Sequence, residues 1–177
     1  VPMLISREQH MPQLNHREWL YRSAFEMGRG LIGYEVQKVL AIVDWACELP
    51  DTASRVGVIG WGEGGLISLY AAAVDPRIQT ACVSGYFAPR ESIWQEPIDR
   101  NLFGLLEQFG DAELATMIAP RTLIVEACQG PTATLSGGRG APARLTSPAL
   151  SDVRREVARA QQIVADGPFS DHLQLVV

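Results

Sequence analysis

Six residues, Gly60-Trp61-Gly62-Glu63-Gly64-Gly65, are the part of this chain whose types and spacing could do chemistry. A short β-branched run, Val56, Val58 and Ile59, leads into them, and a small-residue helix through Ile67, Leu69, Ala71, Ala72 and Ala73 follows. Strand, tight turn and helix together make half of a βαβ unit. Two site types share that outline. In a dinucleotide fingerprint, Gly60, Gly62 and Gly65 satisfy G-x-G-x-x-G, and a pyrophosphate meets backbone N–H groups at the helix N-terminus. That reading expects an acidic residue about 20 positions on, at the end of the next strand, to hold a ribose hydroxyl. The next apparent strand, Ile78 to Val83, runs instead into Ser84-Gly85-Tyr86, and an amphipathic helix precedes the glycine strand.

In a nucleophile elbow, G-x-S-x-G, the attacking side chain stands at the apex of a strained strand-to-helix turn, and small residues flank it where the backbone folds back tightly. Here Gly60 and Gly64 take the flanking positions and Gly62 the apex. A glycine cannot attack a carbonyl, so the outline of the elbow is present without its nucleophile. Acyl transfer also needs a base, a group that orients the base, and donors for the oxyanion. The backbone N–H of Glu63 is one such donor. The Glu63 side chain has two readings: a base or transient acyl acceptor beside the vacant apex, or a first-turn carboxylate that complements the helix dipole. Trp61 and Gly64, beside the apex, are candidate binding residues. Tyr86 is a third, at the carboxyl end of the next strand, where ligands bind in open α/β sheets; a packed aromatic is its competing reading.

The stretch from Val56 through the elbow to Asp75-Pro76-Arg77-Ile78, then Ala81-Cys-Val-Ser-Gly-Tyr-Phe87 and Ile118-Ala-Pro-Arg-Thr-Leu-Ile-Val-Glu-Ala127, resembles the α/β-hydrolase superfamily. Its acetyl-xylan-esterase and dienelactone-hydrolase branch is the most similar, over roughly residues 1–127. The resemblance implies a mostly parallel sheet with helices on both faces, esterase lineage, and a small ester or carbohydrate ligand. It puts the elbow serine on Gly62. It also implies that the triad acid follows the strand at Arg121 to Ala127, where the only nearby carboxylate is Glu126, and that the base histidine follows the last strand, Asp171 to Val177. His172 falls at the start of that strand, the wrong end of the sheet for the base, and is expected to be an ordinary exposed histidine. All three triad positions are therefore vacant, doubtful or missing. The leading expectation is a non-catalytic binding or scaffolding module. An ester hydrolase using Glu63 and groups outside this chain is the alternative, and a dinucleotide-binding module the second.

The elements that position these residues are legible in order. Ser6 to Gly30 is polar and aromatic; His16 and Glu18 could serve a site, but a solvated excursion with Trp19 and Tyr21 packed back is expected. Val36, Val39, Leu40, Val43 and Cys47 mark one face of a helix over Gly33 to Leu49, stopped by Pro50-Asp51. Glu91 to Asp99 reads as a loop or cap. Asn101 to Phe109 reads as a short helix, and Asp111 to Met117 as another with Asp111 as its cap. Residues 130–148 read as a Gly/Pro/Ser-rich loop, and Ser147-Pro148 as the start of a helix carrying Val153, Val157, Ala160 and Val164.

At 177 residues and a net charge of −5, the chain suits one domain with a sizeable core and lacks the basic surface that nucleic acid requires. No apolar run nears the roughly 18 residues of a membrane span. Cys47, Cys82 and Cys128 are expected to be buried free thiols, and His10 and His16 fit no metal-ligand spacing; no metal or cofactor is expected. The start, Val1-Pro-Met-Leu-Ile, is apolar from its first residue, like the tail of a strand. Under the resemblance, the earlier strands lie upstream, and the chain is expected to be an internal piece of a larger polypeptide.

Overall fold

The computed structural model describes residues 1–12, 14–49, 55–135, 142–165, 167 and 172–177. Its centre is a four-stranded parallel sheet: β3 (Val56–Trp61), β4 (Ile78–Ser84), β5 (Thr122–Glu126) and β8 (Leu173–Val176), in that spatial order. Helices α2 (Leu31–Glu48), α3 (Glu63–Val74), α4 (Asp111–Ile118) and α5 (Leu150–Ile163) alternate with the strands. The strand order advances in one direction only. Right-handed crossovers then deliver every connecting helix to the same face, and α2 touches α3, α3 touches α4, and α4 touches α5.

The burial alternates accordingly. Ile78, Ala81, Val83, Leu123, Val125 and Leu173 join the core under the helices. The other register carries Ile59, Cys82, Ile124 and Gln174 in one row and Trp61, Ser84, Glu126 and Val176 in the next. Ile59 is 77% exposed and Trp61 56%. The mostly parallel sheet with helices is as expected. Helix α3 is apolar on all sides and buried from Gly65 to Ala73, because α2, α4 and the sheet surround it. Its carboxyl end is fixed by Arg121, whose Nη1 donates to the carbonyls of Ala72, Asp75 and Ile78 at 2.8, 3.0 and 2.8 Å.

Several expectations are corrected. Ser6 to Gly30 is not a solvated excursion: β1 (Gln9–Met11) and β2 (Leu14–Asn15) form a small antiparallel pair, and α1 (His16–Glu26) follows. Asn15 caps α1 by accepting from the Glu18 amide at 3.0 Å, and Arg17, Glu18, Tyr21 and Ala24 turn inward. Asn101 to Phe109 is not a helix but holds one 3-10 turn, Leu105–Glu107, entered through Gly104 at φ 77°. Gly110, not Asp111, takes the N-cap position of α4.

The expected linker is partly paired: β6 (Ala133–Thr134) and β7 (Arg144–Leu145) run antiparallel, while residues 136–141 lie outside the described set. Helix α5 starts at Leu150, and the Ser147 hydroxyl instead accepts from the Gly130 amide at 2.8 Å. Cys47 is exposed and Cys82 and Cys128 are half-buried, all three free. His172 is buried, 5% exposed, with Nε2 at 3.3 Å from the Ala115 carbonyl; the packing of α4 over the amino end of β8 decides this. Pro50 and Asp51, expected to stop α2, and Asp171 lie outside the described residues.

Candidate functional site: a glycine-apex elbow in a net of arginines

A tight turn with Gly62 at its apex joins β3 directly to α3. Gly62 sits at φ 55°, ψ −113°, a sparsely populated conformation that costs a residue with a side chain on the order of 1–3 kcal/mol. The Gly62 amide donates to the Ser84 carbonyl at 2.9 Å, tying the turn to the end of β4. A Cβ at Gly60 would fall on the Gly64 carbonyl, and one at Gly65 would lie 3.1 Å from the Ser84 carbonyl oxygen and 3.2 Å from Tyr86 Cβ. Around Gly64 there is open space. The tight approaches therefore fall at Gly60 and Gly65, not at Gly60 and Gly64 as the motif suggests.

The apex is filled from above. A Cβ on Gly62 would lie 2.5 Å from Pro131 Cδ and 2.7 Å from its Cγ. The segment carrying Pro131 is held in two places: Trp61 Nε1 donates to the Gln129 carbonyl at 2.9 Å, and the Gly130 amide donates to Ser147. Gly85, at φ 60°, lets Gly130 approach closely. The ring of Pro131 thus occupies the space a side chain at Gly62 would need.

Glu63, the next residue, faces three guanidinium groups. Its Oε2 accepts from Arg7 Nη2 at 2.9 Å and Arg100 Nε at 3.0 Å, and its Oε1 lies 3.5 Å from Arg17 Nη2. Burial alone would raise this carboxyl, but Arg100, Arg7 and Arg17 outweigh it and hold it at about 2. A carboxylate so stabilised is a weak proton acceptor at neutral pH. The net extends in both directions. Arg17, 1% exposed, also pairs with Glu35 at 3.0 Å and Asp99 at 2.8 Å. Arg7 reaches Asp99 at 2.7 Å, while Arg100 and Arg90 share Glu96 at 3.0 and 3.1 Å. Arg90 ends the net 3.4 Å from Asp111 and stacks 4.7 Å from the centre of the Tyr86 ring.

Asp111 has the opposite balance. Its Oδ2 accepts from the Ala88 amide at 3.2 Å, and its Oδ1 is buried without a partner. Burial raises its carboxyl to about 6, with Arg90 pulling the other way. Because the folded state favours the protonated form, this group costs nothing below its ordinary value of 3.8 and costs most above about 6. Replacing Asp111 with asparagine is expected to make the variant's stability relative to the parent rise by on the order of 3 kcal/mol between pH 4 and pH 7. Urea unfolding at both pH values measures it; an unchanged difference would show that Arg90 keeps Asp111 ionised.

Glu126 closes β5, and its partner is a hydroxyl. Ser84 donates a very short hydrogen bond to Glu126 Oε2 and lies 3.0 Å from Cys128 Sγ. His172 stands at the amino end of β8, whereas Glu126 is level with Val176 at the carboxyl end. The candidate binding residues divide. Trp61 and Gly64 line an apolar cavity of about 700 Å³ beside β3, and Tyr86 lines a polar one of about 490 Å³ at the carboxyl end of β4. Pro131 borders both.

Sequence reading missed Arg7, Arg17, Arg100 and Pro131. Only Arg17 left a signal: with Tyr21 and Ala24 it falls at helical spacing on the inward face of α1.

No family model matches the sequence, and no curated protein does. Solved structures do match. A proposed acetyl xylan esterase of Bacteroides fragilis NCTC 9343 superposes with a TM-score of 0.66 at 13% identity, over 92% of this chain and 40% of its own. A glucuronoyl esterase from Solibacter usitatus gives 0.57 at 16% identity, over 84% and 43%. A carbohydrate esterase family 15 glucuronoyl esterase from Caldicellulosiruptor kristjansonii gives 0.56 at 15%, over 84% and 44%. This chain thus spans less than half the length of each. What the comparisons establish is the fold alone: a mostly parallel α/β sheet with helices, shared with part of each of these structures.

Proposed function

We propose that this domain is a non-catalytic binding module of a larger polypeptide, derived from a carbohydrate esterase. The observation that supports the reading is the apex of the turn: Gly62 has no side chain, and Pro131 fills the space that one would need. The ligand class follows from the names of the similar structures, acetyl xylan and glucuronoyl esterases. The polar cavity bordered by Arg90, Glu96, Ser147 and Asp152 suits a hydroxylated ligand, since a few placed polar groups in a cleft fix such a ligand by hydrogen bonds.

Calorimetric titration with an acetylated xylo-oligosaccharide and with a methyl glucuronate ester tests this, with released acid followed in the same sample. Saturable binding of either without product is the expected result, and Arg90→Ala should weaken it at least tenfold. Release of acid would instead establish the hydrolase alternative. That alternative asks Glu63 to act as base against three arginines. The dinucleotide alternative rests on the spacing of Gly60, Gly62 and Gly65 alone.

A further inference from the structure

Two guanidinium groups border the polar cavity of about 490 Å³, and both belong to buried residues: Arg90 is 8% exposed and Arg100 6%. Their bonds leave donors over. Arg90 spends Nε on the Ala88 carbonyl and Nη1 on Glu96, each at 3.1 Å; Arg100 spends Nε on Glu63 and Nη1 on Glu96, each at 3.0 Å. Neither Nη2 has an acceptor among the described residues. Among those residues the one buried side-chain nitrogen or oxygen without a partner is Asp111 Oδ1, so both Nη2 groups are open to solvent. The Tyr86 ring holds the two arginines on one wall, 4.7 and 5.7 Å from its centre. The acids of the border are occupied or exposed: Glu96 accepts from both arginines, Asp152 pairs with Arg155 at 3.1 Å, and Glu91 is exposed. Spare guanidinium N–H groups in a partly dry cleft match an oxyanion.

Counted with Lys38, the ion-pair net behind this wall holds as many carboxylates as cations, five of each. A bound anion leaves it one charge negative unless a carboxylate takes a proton. Asp111 is placed to take it. Its Oδ1 has no donor, and its ion-pair partner at 3.4 Å is Arg90, the same guanidinium that would turn to a ligand. The acids that face it oppose its charge: Glu96 beyond Arg90, and Glu156 of α5, itself paired with Arg159 at 2.7 Å. The remaining groups that face it, Tyr70 of α3 and Tyr86, are kept neutral by burial. We infer that the polar cavity binds a hydroxylated ligand carrying an oxyanion through Arg90 and Arg100, and that Asp111 takes up a proton from solvent as the ligand binds. The inference rests on the reading of this cavity as the module's binding site. The ligand's oxygens accept from the two Nη2 groups, and the proton goes to Asp111 Oδ1. Binding that lifts the Asp111 carboxyl by one pH unit makes the affinity about tenfold higher at acid pH than at alkaline pH.

Calorimetric titration at pH 6 with D-glucuronate, D-glucose 6-sulfate and D-glucose separates a carboxylate, a sulfate ester and the neutral ring. At least one anion should bind tenfold or more tighter than glucose, with net proton uptake read from the difference in heat between MES and imidazole buffers. Its affinity should fall about tenfold from pH 5 to pH 8. In Asp111→Asn the uptake should vanish and the affinity should no longer depend on pH. Uptake that persists in that variant, as titration of His10, His16 or His172 would give, overturns the inference. So does an anion affinity in the unmodified protein that is equal at pH 5 and pH 8, a result that needs no variant. Binding of the acetylated xylo-oligosaccharide with neither anion bound overturns this inference and leaves the binding-module reading standing; binding of none of them overturns both.

Discussion

Replacing Arg17 with methionine is expected to lower the unfolding free energy by about 3–5 kcal/mol, the usual cost of removing one partner from a buried ion pair. Arg17 Nε, Nη1 and Nη2 face Asp99, Glu35 and Glu63 respectively, and Asp99 and Glu35 are almost fully shielded from water. Taking the guanidinium away leaves those carboxylates with only part of their compensation: Lys38 at 3.0 Å for Glu35 and Arg7 for Asp99. For a domain of this size, about 1 kcal/mol moves the melting temperature by roughly 2–4 °C, so a drop on the order of 10 °C should appear in a thermal scan. The double variant Arg17→Met with Glu35→Met removes the stranded charge and should recover more than half of the loss. A single-variant loss below about 1 kcal/mol would mean that water or neighbouring arginines already satisfy the carboxylates.

The second large effect concerns the apex. Gly62→Ser restores the missing hydroxyl in sequence, yet it should destabilise the domain by about 2–5 kcal/mol. Two costs combine: a side chain at φ 55°, ψ −113°, and the displacement of the Pro131 ring, an overpacking cost of typically 1–3 kcal/mol. The variant should also fail to react with a serine-trapping phosphonate, because the two carboxylates considered for the site are engaged, Glu63 by arginines and Glu126 by Ser84. Adding Pro131→Gly should return the overpacking part of the stability without bringing reactivity. Labelling of the single variant, detected by intact mass, would show that working machinery survives around the apex and would favour the hydrolase reading.

Acid stability offers a check on Glu63 that needs no substitution. A carboxyl whose folded value lies at about 2, below its ordinary 4.5, stabilises the fold fully above 4.5 and loses that contribution as the pH falls toward 2. Asp111 acts in the opposite sense between about 4 and 6. The two contributions oppose each other, so their sum is most favourable near pH 4–5, where Glu63 is still ionised and Asp111 still largely protonated, and Glu63→Gln should remove the acid-side loss in urea unfolding at pH 3 and pH 5.

The strands β3, β4 and β5 and helices α2, α3 and α5 were legible in the sequence because their signal is local. A β-branched run, a helical spacing of apolar residues and a glycine turn each report the conformation of the segment that carries them. The vacancy at Gly62 was legible for the same reason: a side chain that does not exist cannot be supplied by folding. What the sequence could not reveal were relations between segments distant along the chain. Arg7, Arg17, Arg100 and Glu63 converge from four separate segments, and nothing in the local composition of any one of them distinguishes a buried arginine from a solvated one. Asn101 to Phe109 has the composition of a helix, but Gly104 turns the chain. His172 looks exposed until α4 covers it.

Pro131 shows the division most clearly. In the sequence it is one residue of a loop, 69 positions from the glycine it covers; only the packing of that loop over the ends of β3 and β4, through Trp61, Gly85 and Ser147, turns it into the residue that fills the apex. The sequence by itself determined that the apex of this turn, Gly62, carries no side chain. The tertiary structure decided that it has no room for one, because room depends on atoms brought together from across the chain.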